Sequence, residues 1–123
     1  MGALSPELTP GLFIEKFNAG DAAGAVEYYE EDAVFTYDGE EKAVGRTQIE
    51  RALAGFLIAG LQMRGEVVTV HASGDLALTR MKWELIDGDG AMQSSGVSCE
   101  VQRRGPDGLW RFQLDDATAG ARG

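Results

Sequence analysis

Apolar residues recur at helical spacing in the first part of the chain. Leu12, Phe13 and Phe17 fit one face of a helix, and the small residues that follow Phe17 end it. Asp21 is a suitable N-cap residue for a second, short helix, which we expect over about residues 22–30. The chain therefore begins with two amphipathic helices.

A capping pattern predicts a third helix. Thr47 and Glu50 have the spacing at which an N-cap hydroxyl and a glutamate side chain each bond the other residue's backbone N–H group. This pattern places a helix over about residues 48–59. Its inward positions are Ile49, Leu53, Phe56 and Leu57.

Alternating apolar and polar residues replace the helical spacing elsewhere and predict strands. The predicted strands cover residues 33–37, 42–44, 63–72, 76–86, 92–104 and 109–116. The Asp-Gly-Asp-Gly run at residues 87–90 is a hairpin signal, and a second turn follows at residues 105–108. Four long antiparallel strands therefore form most of the second half.

Two of the long strands carry residues that we place on the concave face of the sheet. Met81 and Trp83 alternate with charged residues and share one face of their strand. In the neighbouring strand Cys99 belongs to the apolar face, and Glu100 belongs to the polar one. We expect the face of Cys99 to point inward.

Helices first and long strands afterwards predict an α+β domain. We expect a conical barrel with three N-terminal helices packed on a strongly curved, mainly antiparallel sheet, and a cavity at its open end. The 123 residues fit one domain. It is predicted to occupy residues 10–116, between an N-terminal arm of residues 1–9 and a flexible tail of residues 117–123.

Charge excludes several partners. The formal net charge of −9 and the pI near 4.5 argue against nucleic acid and against anionic membranes. The first residues show no leader pattern, no apolar run is long enough to span a bilayer, and the single cysteine fits a reducing compartment. A cytoplasmic location is therefore expected. We expect no metal and no cofactor, because the sequence has no ligand cluster and no phosphate-binding glycine loop.

The order of short motifs along the chain resembles nuclear transport factor 2-like domains, and more narrowly their SnoaL-like and ketosteroid isomerase-like branches. The motifs are Asn18–Asp21, Asp32–Phe35, Gly45–Arg46, Gly74–Asp75 and Asp107–Arg111. Together they span nearly the whole chain. The resemblance implies a cystatin-like cone, an apolar pocket inside it, and a homodimer formed through the outer face of the sheet.

The resemblance can be tested at the catalytic positions of the relatives. The proton-abstracting carboxylate of ketosteroid isomerases aligns with Tyr37, and the neighbouring Asp38 would point to the other face of a straight strand. Their two oxyanion donors align near Phe13 and Cys99. The standard isomerase residues are thus not matched. SnoaL-like cyclases are described by a carboxylate and a pocket histidine, whereas His71 stands at a strand end, where we expect it to be solvated.

Three residues are catalytic candidates: Tyr37, Asp115 and Asp38. A regular last strand places Asp116 inward, whereas the resemblance points to Asp115, and a β-bulge would reconcile the two. A carboxylate in an apolar cone would have a raised pKa and could act as a general base, although two adjacent acids at a strand end are more often solvated. The expected ligand wall is Phe13, Phe17, Phe35, Phe56, Met81, Trp83 and Cys99.

Two hypotheses of function remain from the sequence. The first is a protein that binds a small apolar, cyclic ligand and acts as an isomerase, cyclase or dehydratase by general acid/base chemistry. The second is a non-catalytic ligand-binding or dimerisation module of the same fold. A carboxylate inside the cone discriminates between them, because only the enzyme requires one.

Overall fold

The computed structural model describes residues 1–39 and 41–120, and the side chain of Asp38 lies outside that description. Within these residues the chain forms three helices and seven strands. They are α1 (Thr9–Asn18), α2 (Ala22–Val26), β1 (Tyr29–Asp38), β2 (Glu41–Val44), α3 (Gly45–Ile58), β3 (Gln62–Ser73), β4 (Leu76–Ile86), β5 (Met92–Val97), β6 (Cys99–Arg104) and β7 (Trp110–Asp116). No helix in the described part of the chain is long and apolar enough to cross a membrane.

All seven strands belong to one curved sheet. Six of them follow the order β2-β1-β7-β6-β4-β3, and β5 pairs with β4 outside this order. The pairing of β1 with β7 is parallel, and every other described pairing is antiparallel. The predicted α+β fold is therefore confirmed, with helices packed on a mainly antiparallel sheet.

Helix α1 is held to the sheet by packing and by one amide. Phe13 and Phe17 are buried, as their helical spacing predicts. The Asn18 side chain donates to the Met63 carbonyl and accepts from the Met63 N–H, both at 2.8 Å. This double hydrogen bond fixes the end of α1 against the start of β3.

Helix α2 is shorter than its sequence predicts. Asp21 caps it as expected, accepting from the Gly24 N–H at 2.8 Å. The helix ends at Val26, because the segment that follows pairs with β7: the Phe112 N–H donates to the Tyr28 carbonyl at 2.8 Å. Tertiary pairing here overrides the local helical pattern.

Helix α3 begins three residues earlier than predicted. Its first residue is Gly45, whose positive φ of 81° suits a glycine. The N-cap is Val44, and its N–H donates to the side-chain oxygen of Gln48 at 2.8 Å. The Thr47–Glu50 pattern therefore correctly predicts a helix here, but it does not predict the residue at which the helix begins.

The predicted strand 92–104 divides at Ser98 into β5 and β6, and the inward face of β6 is the opposite of the predicted one. Residues paired directly across strands share a face. Thr79 pairs with Glu100, and both side chains are buried, with Gln102 beside them. Cys99 therefore points to the convex face, and its predicted inward orientation is wrong.

The reason for this reversal is a second apolar surface. One register row crosses five strands on the convex face and consists of Leu78, Val101, Leu114, Val34 and Val44. Because β6 has apolar residues on one face and buried polar residues on the other, its alternation does not reveal which face is inside.

Both predicted terminal extensions contact the sheet. In the arm, the Ala3 carbonyl accepts from the Trp110 N–H at 2.8 Å, and Ala3 is buried. In the tail, Gly120 bonds the Val97 carbonyl at 3.0 Å and accepts from Arg80 at 2.7 Å. The tail is thus fastened as far as Gly120, and residues 121–123 of the predicted flexible segment lie outside the described residues.

Candidate functional site

The helices and the concave face of the sheet enclose a cavity of about 390 Å³. This volume lies in the range of small-molecule sites in proteins. Its apolar lining comes from α1, α3, β1, β3, β4 and β7 and includes Phe13, Phe35, Tyr37, Leu53, Phe56, Met63, Met81, Trp83, Leu85 and Phe112. Most of the predicted ligand wall therefore surrounds one space.

Two predicted wall residues lie elsewhere. Phe17 is fully buried one helical turn from Phe13, with ring centroids 6.2 Å apart, and it packs in the core beyond the lining. Cys99 is half-buried on the convex side, for the register reason given above. Neither side chain reaches the cavity. His71 is exposed on β3, in agreement with a solvated strand-end histidine.

Aromatic contacts build the apolar wall. The Tyr37 ring lies 5.2 Å from Phe35 and packs edge-on against Phe56 at 6.0 Å, so β1 and α3 hold it from two sides. Trp83 donates its indole N–H to the Ala117 carbonyl at 2.6 Å. This bond fixes the indole against the start of the tail. The side chain of Asp38, the third catalytic candidate, lies outside the described part.

A bulge in β7 turns Asp115 into the cavity. Gln102 pairs with Phe112, but Val101 pairs with Leu114, so Gln113 is an extra residue in the ladder. The alternation after the bulge puts Leu114 outside and Asp115 inside. The structure therefore has the bulge that reconciles the two sequence-based alternatives.

Tyr29 and Asp115 form the polar end of the cavity together with Glu100. The Tyr29 hydroxyl donates to Oδ2 of Asp115 at 2.5 Å, and its ring is clamped by Phe13 and Phe112 at 5.7 and 5.1 Å. Glu100 is the direct cross-strand partner of Asp115 and is only 2% exposed. Both carboxyl groups line the same cavity.

Burial controls the protonation of this carboxyl pair. Burial raises the pKa of Glu100 to about 7, against the hydrogen bond from Thr79, which lowers it. Burial also raises the pKa of Asp115 well above its ordinary value, and the charge of Glu100 adds to that rise. Asp115 keeps some accessible surface because it faces the cavity, but its carboxyl group is enclosed.

These shifts give the two acids different roles near neutral pH. Glu100 accepts a hydrogen bond from Thr79 and ionises first, and its charge then raises the pKa of Asp115. Asp115 then keeps its proton, since a second buried negative charge beside the first is unfavourable. The hydroxyl of Tyr29 also stays protonated, because burial and Asp115 raise its pKa well above the ordinary value. The site can thus accept one proton and donate another.

Sequence reasoning missed Tyr29 and Glu100. The helical pattern places Tyr29 at the end of a helix, where it resembles a core residue. The alternation places Glu100 on the solvated face, because its neighbours Ser98 and Gln102 are also polar. One signal was available: Thr79 is a polar residue on the same face of its strand as Met81, and it bonds Glu100. A polar residue among apolar inward positions indicates a buried polar partner.

Among the described residues no group of three or more histidine, cysteine, aspartate or glutamate side chains could hold a metal ion. The arrangement that the structure does bring together is a phenol and two carboxyl groups at one end of an apolar cavity.

Residues 12–113 match the family model of the SnoaL-like domain. A domain of unknown function with a cystatin-like fold from Nostoc punctiforme is similar in structure, with a TM-score of 0.81 and 20% identity over 94% of this chain and 75% of that chain. A ketosteroid isomerase-like protein from Erwinia carotovora atroseptica gives a TM-score of 0.74 and 18% identity, covering 94% of both chains. An NTF2-like protein from Novosphingobium aromaticivorans gives 0.72 and 22%, over 94% and 80%. No significant match was found among curated proteins. At these identities the likenesses show the fold alone.

Proposed function

Because the chain belongs to the SnoaL-like domain family of the nuclear transport factor 2-like superfamily, we propose that it binds a small, mainly apolar cyclic molecule and moves a proton on it by general acid/base catalysis. The observation that carries this proposal is the pair of buried carboxyl groups, Glu100 and Asp115, in the wall of an apolar cavity. A non-catalytic binding module does not need two buried acids, whose desolvation is costly.

Glu100 is the general base in this proposal. A base works best when its pKa lies near the working pH, and the pKa of Glu100 is raised to about 7. Its carboxylate takes a proton from a carbon next to a carbonyl group of the ligand. The electron pair of that C–H bond moves into the carbonyl and makes an enol or enolate.

Asp115 is the general acid. It holds its proton at neutral pH and gives it, or a strong hydrogen bond, to the carbonyl oxygen as negative charge develops there. Tyr29 holds the Asp115 carboxyl from the other side. Return of the proton from Glu100 to a different carbon, with the enol proton going back to Asp115, completes an isomerisation. In a dehydration the proton on Glu100 goes instead to a neighbouring hydroxyl, which leaves as water while the carbonyl forms again and its proton returns to Asp115. These roles differ from the sequence-based hypothesis, in which Asp115 or Asp38 is the base.

Tyr37 keeps one of the roles considered for it as a catalytic candidate, the orientation of a ligand oxygen. Its ring contacts Phe35 and Phe56 and contributes to the apolar wall. We assign it to ligand binding, where its hydroxyl orients an oxygen of the ligand, and assign proton transfer to the carboxyl pair of Glu100 and Asp115.

Hydrogen–deuterium exchange on simple ketones tests this function without knowledge of the natural substrate. The full chain is incubated in D₂O with a panel of cyclic ketones, and loss of the signals next to the carbonyl is followed by proton NMR. We expect exchange above the buffer rate for at least one ketone, rising with pH around a midpoint near 7.

Matched variants identify the groups responsible. Glu100→Gln and Asp115→Asn should each slow the exchange at least about a hundredfold, the usual range for a general acid or base. Glu66→Gln makes the same chemical change at an exposed glutamate of β3 outside the cavity; it serves as the control and should retain the full rate. No exchange on any ketone, or equal exchange in Glu100→Gln and wild type, would contradict the proposed catalysis.

The convex face favours a second proposal, a homodimer through the sheet. The register row of Leu78, Val101, Leu114, Val34 and Val44 is apolar. Leu114 at its centre is 48% exposed, and Val44 at one end is 52% exposed. A second copy of this row would cover both.

Sedimentation at micromolar concentration tests the dimer. Wild type should sediment as a dimer, and Leu114→Glu should sediment as a monomer, because a charge in the centre of the row cannot be buried against its copy. Met92→Glu is the matched control, since Met92 is 57% exposed on β5 outside the row. A monomeric wild type would refute this proposal.

A further inference from the structure

A chain of buried side chains runs from the N-terminal arm to Glu100. The side-chain nitrogen of Gln102 donates to the Pro6 carbonyl at 2.9 Å and to the Thr79 hydroxyl at 3.2 Å. The Thr79 hydroxyl donates in turn to Oε1 of Glu100 at 2.8 Å. Thr79 and Gln102 are fully buried, so water does not compete for these bonds.

The direction of every bond in the chain is fixed by chemistry. A carbonyl can only accept, so Pro6 requires the NH₂ group of Gln102 and excludes the flipped amide. The two hydrogens of that NH₂ group are then both used, one on Pro6 and one on Thr79. Because the Thr79 oxygen receives one of them, its own single hydrogen is free to point at Glu100.

This orientation of the Gln102 amide leaves its side-chain oxygen without a hydrogen bond among the described residues. Its Oε1 atom is buried and has no hydrogen-bond partner in the described part of the chain. Native proteins leave few such atoms unpaired. The amide nevertheless keeps the orientation that serves Pro6 and Thr79.

We propose that Thr79 and Gln102 are positioning residues for Glu100, and that they dedicate Oε1 to a permanent hydrogen bond so that Oε2 is the oxygen that exchanges protons with the ligand. This inference rests on the proposed function for the role of Glu100 as base. The arm takes part through the Pro6 carbonyl, which lies 96 residues before Gln102 in the sequence.

The groups that titrate around Glu100 are few. Asp115 faces it from β7, Tyr29 reaches Asp115 from β1, and Cys99 adjoins it on β6 with its side chain turned outward. On β4 the facing group is Thr79, which does not titrate. A change at Thr79 or Gln102 therefore alters the hydrogen bonding of Glu100 without removing a charge.

Carbon-13 NMR of the glutamate carboxyl groups in the full chain tests the inference directly. In Thr79→Val the titration midpoint of Glu100 should rise by about one pH unit, because the carboxylate loses a donor. Gln102→Leu frees the Thr79 hydroxyl to rotate, and the midpoint should rise by a smaller amount. Thr79→Ser keeps the hydroxyl and should restore the wild-type midpoint.

Thr69→Val is the matched control, since Thr69 lies opposite Arg80 on the outward face of β3 and should leave the midpoint unchanged. Wild-type midpoints in both Thr79→Val and Gln102→Leu would overturn the inference. The titration needs no substrate, so the proposed catalysis and the proposed positioning of Glu100 can be refuted independently. Absence of ketone exchange with shifted midpoints refutes the catalysis alone, and exchange with unshifted midpoints refutes the positioning alone.

Discussion

The apolar wall and the polar end of the cavity are neighbours, since Phe35 pairs with Asp115, but they are held by different forces. At the apolar wall Tyr37, Phe35 and Phe56 touch through ring faces and edges, and these contacts need neither a donor nor an acceptor. At the polar end Tyr29, Asp115 and Glu100 are joined by directional hydrogen bonds and by charge. The wall can therefore accept ligands of varied shape, whereas the polar end presents its donors and acceptors at fixed points.

The contributions of the apolar wall and of the polar end to stability should also respond differently to pH. The wall is built from apolar and aromatic contacts, so its contribution to stability should not vary with pH. The polar end contains a carboxyl group that ionises near neutrality, and its contribution should vary between pH 4.5 and 7. Substitutions at the two ends are therefore expected to differ in their pH profile as well as in their size.

The largest effect is expected at the wall. Met81 is 7% exposed, and Met81→Ala should lower the free energy of unfolding by about 2–5 kcal/mol through lost burial and an enlarged cavity. The loss should be equal at pH 5 and pH 8. Urea unfolding at both pH values measures it, with Met92→Ala as the exposed control. A loss that changes with pH would break the distinction between the two ends.

Glu100→Gln should raise the free energy of unfolding, whereas Met81→Ala lowers it. A pKa raised from 4.5 to about 7 means that this group does not affect folding well below pH 4.5. The penalty grows between pH 4.5 and 7, where the unfolded chain gains from ionising this carboxyl and the folded protein keeps it protonated, and it is complete above pH 7. The penalty approaches about 3 kcal/mol. Glu100→Gln should therefore be more stable than wild type at pH 8 by up to about that amount and equally stable at pH 4.5.

Urea unfolding across this pH range checks the expectation. The control is Glu66→Gln, an exposed glutamate on β3 that should change stability little at either pH. A variant at position 100 that is less stable than wild type at pH 8 would show that the Glu100 carboxylate is better solvated than its surroundings indicate.

The smallest effect comes from removing one hydroxyl at each end. Tyr29→Phe deletes the donor to Asp115 and should cost about 1–3 kcal/mol at pH 7, because a buried carboxyl oxygen loses its partner. Tyr37→Phe makes the same chemical change in the wall and should cost under about 1 kcal/mol. Thermal unfolding of both variants gives the comparison, and equal losses would remove the distinction that we draw between the two tyrosines.

Sequence patterns predict most of the fold and the apolar half of the site. Helical spacing locates α1, a capping pattern locates α3, and alternation locates Met81 and Trp83 on the inward face of β4. These features are local, since each is set by residues a few positions apart. Burial of apolar side chains contributes most to their stability, and the sequence records the apolar positions directly.

The polar half depends on pairings that the sequence does not record. The orientation of Asp115 follows from a one-residue bulge opposite β6, and that of Glu100 follows from the register between β6 and β4. A shift of one residue exchanges the two faces of a strand. Because the apolar side chains of β6 lie on its half-buried convex face and its buried side chains are polar, composition alone favours the wrong face and places Cys99 where Glu100 lies.

The most direct test of the central claim is the carboxyl titration of wild type and Glu100→Gln, followed by carbon-13 NMR between pH 4 and pH 9. We predict that one glutamate carboxyl in wild type titrates near pH 7 and that its signal is missing in Glu100→Gln. All glutamate signals titrating between about pH 3.5 and 5.5, as solvated glutamates do, would contradict the claim that the cavity holds a buried acid/base pair.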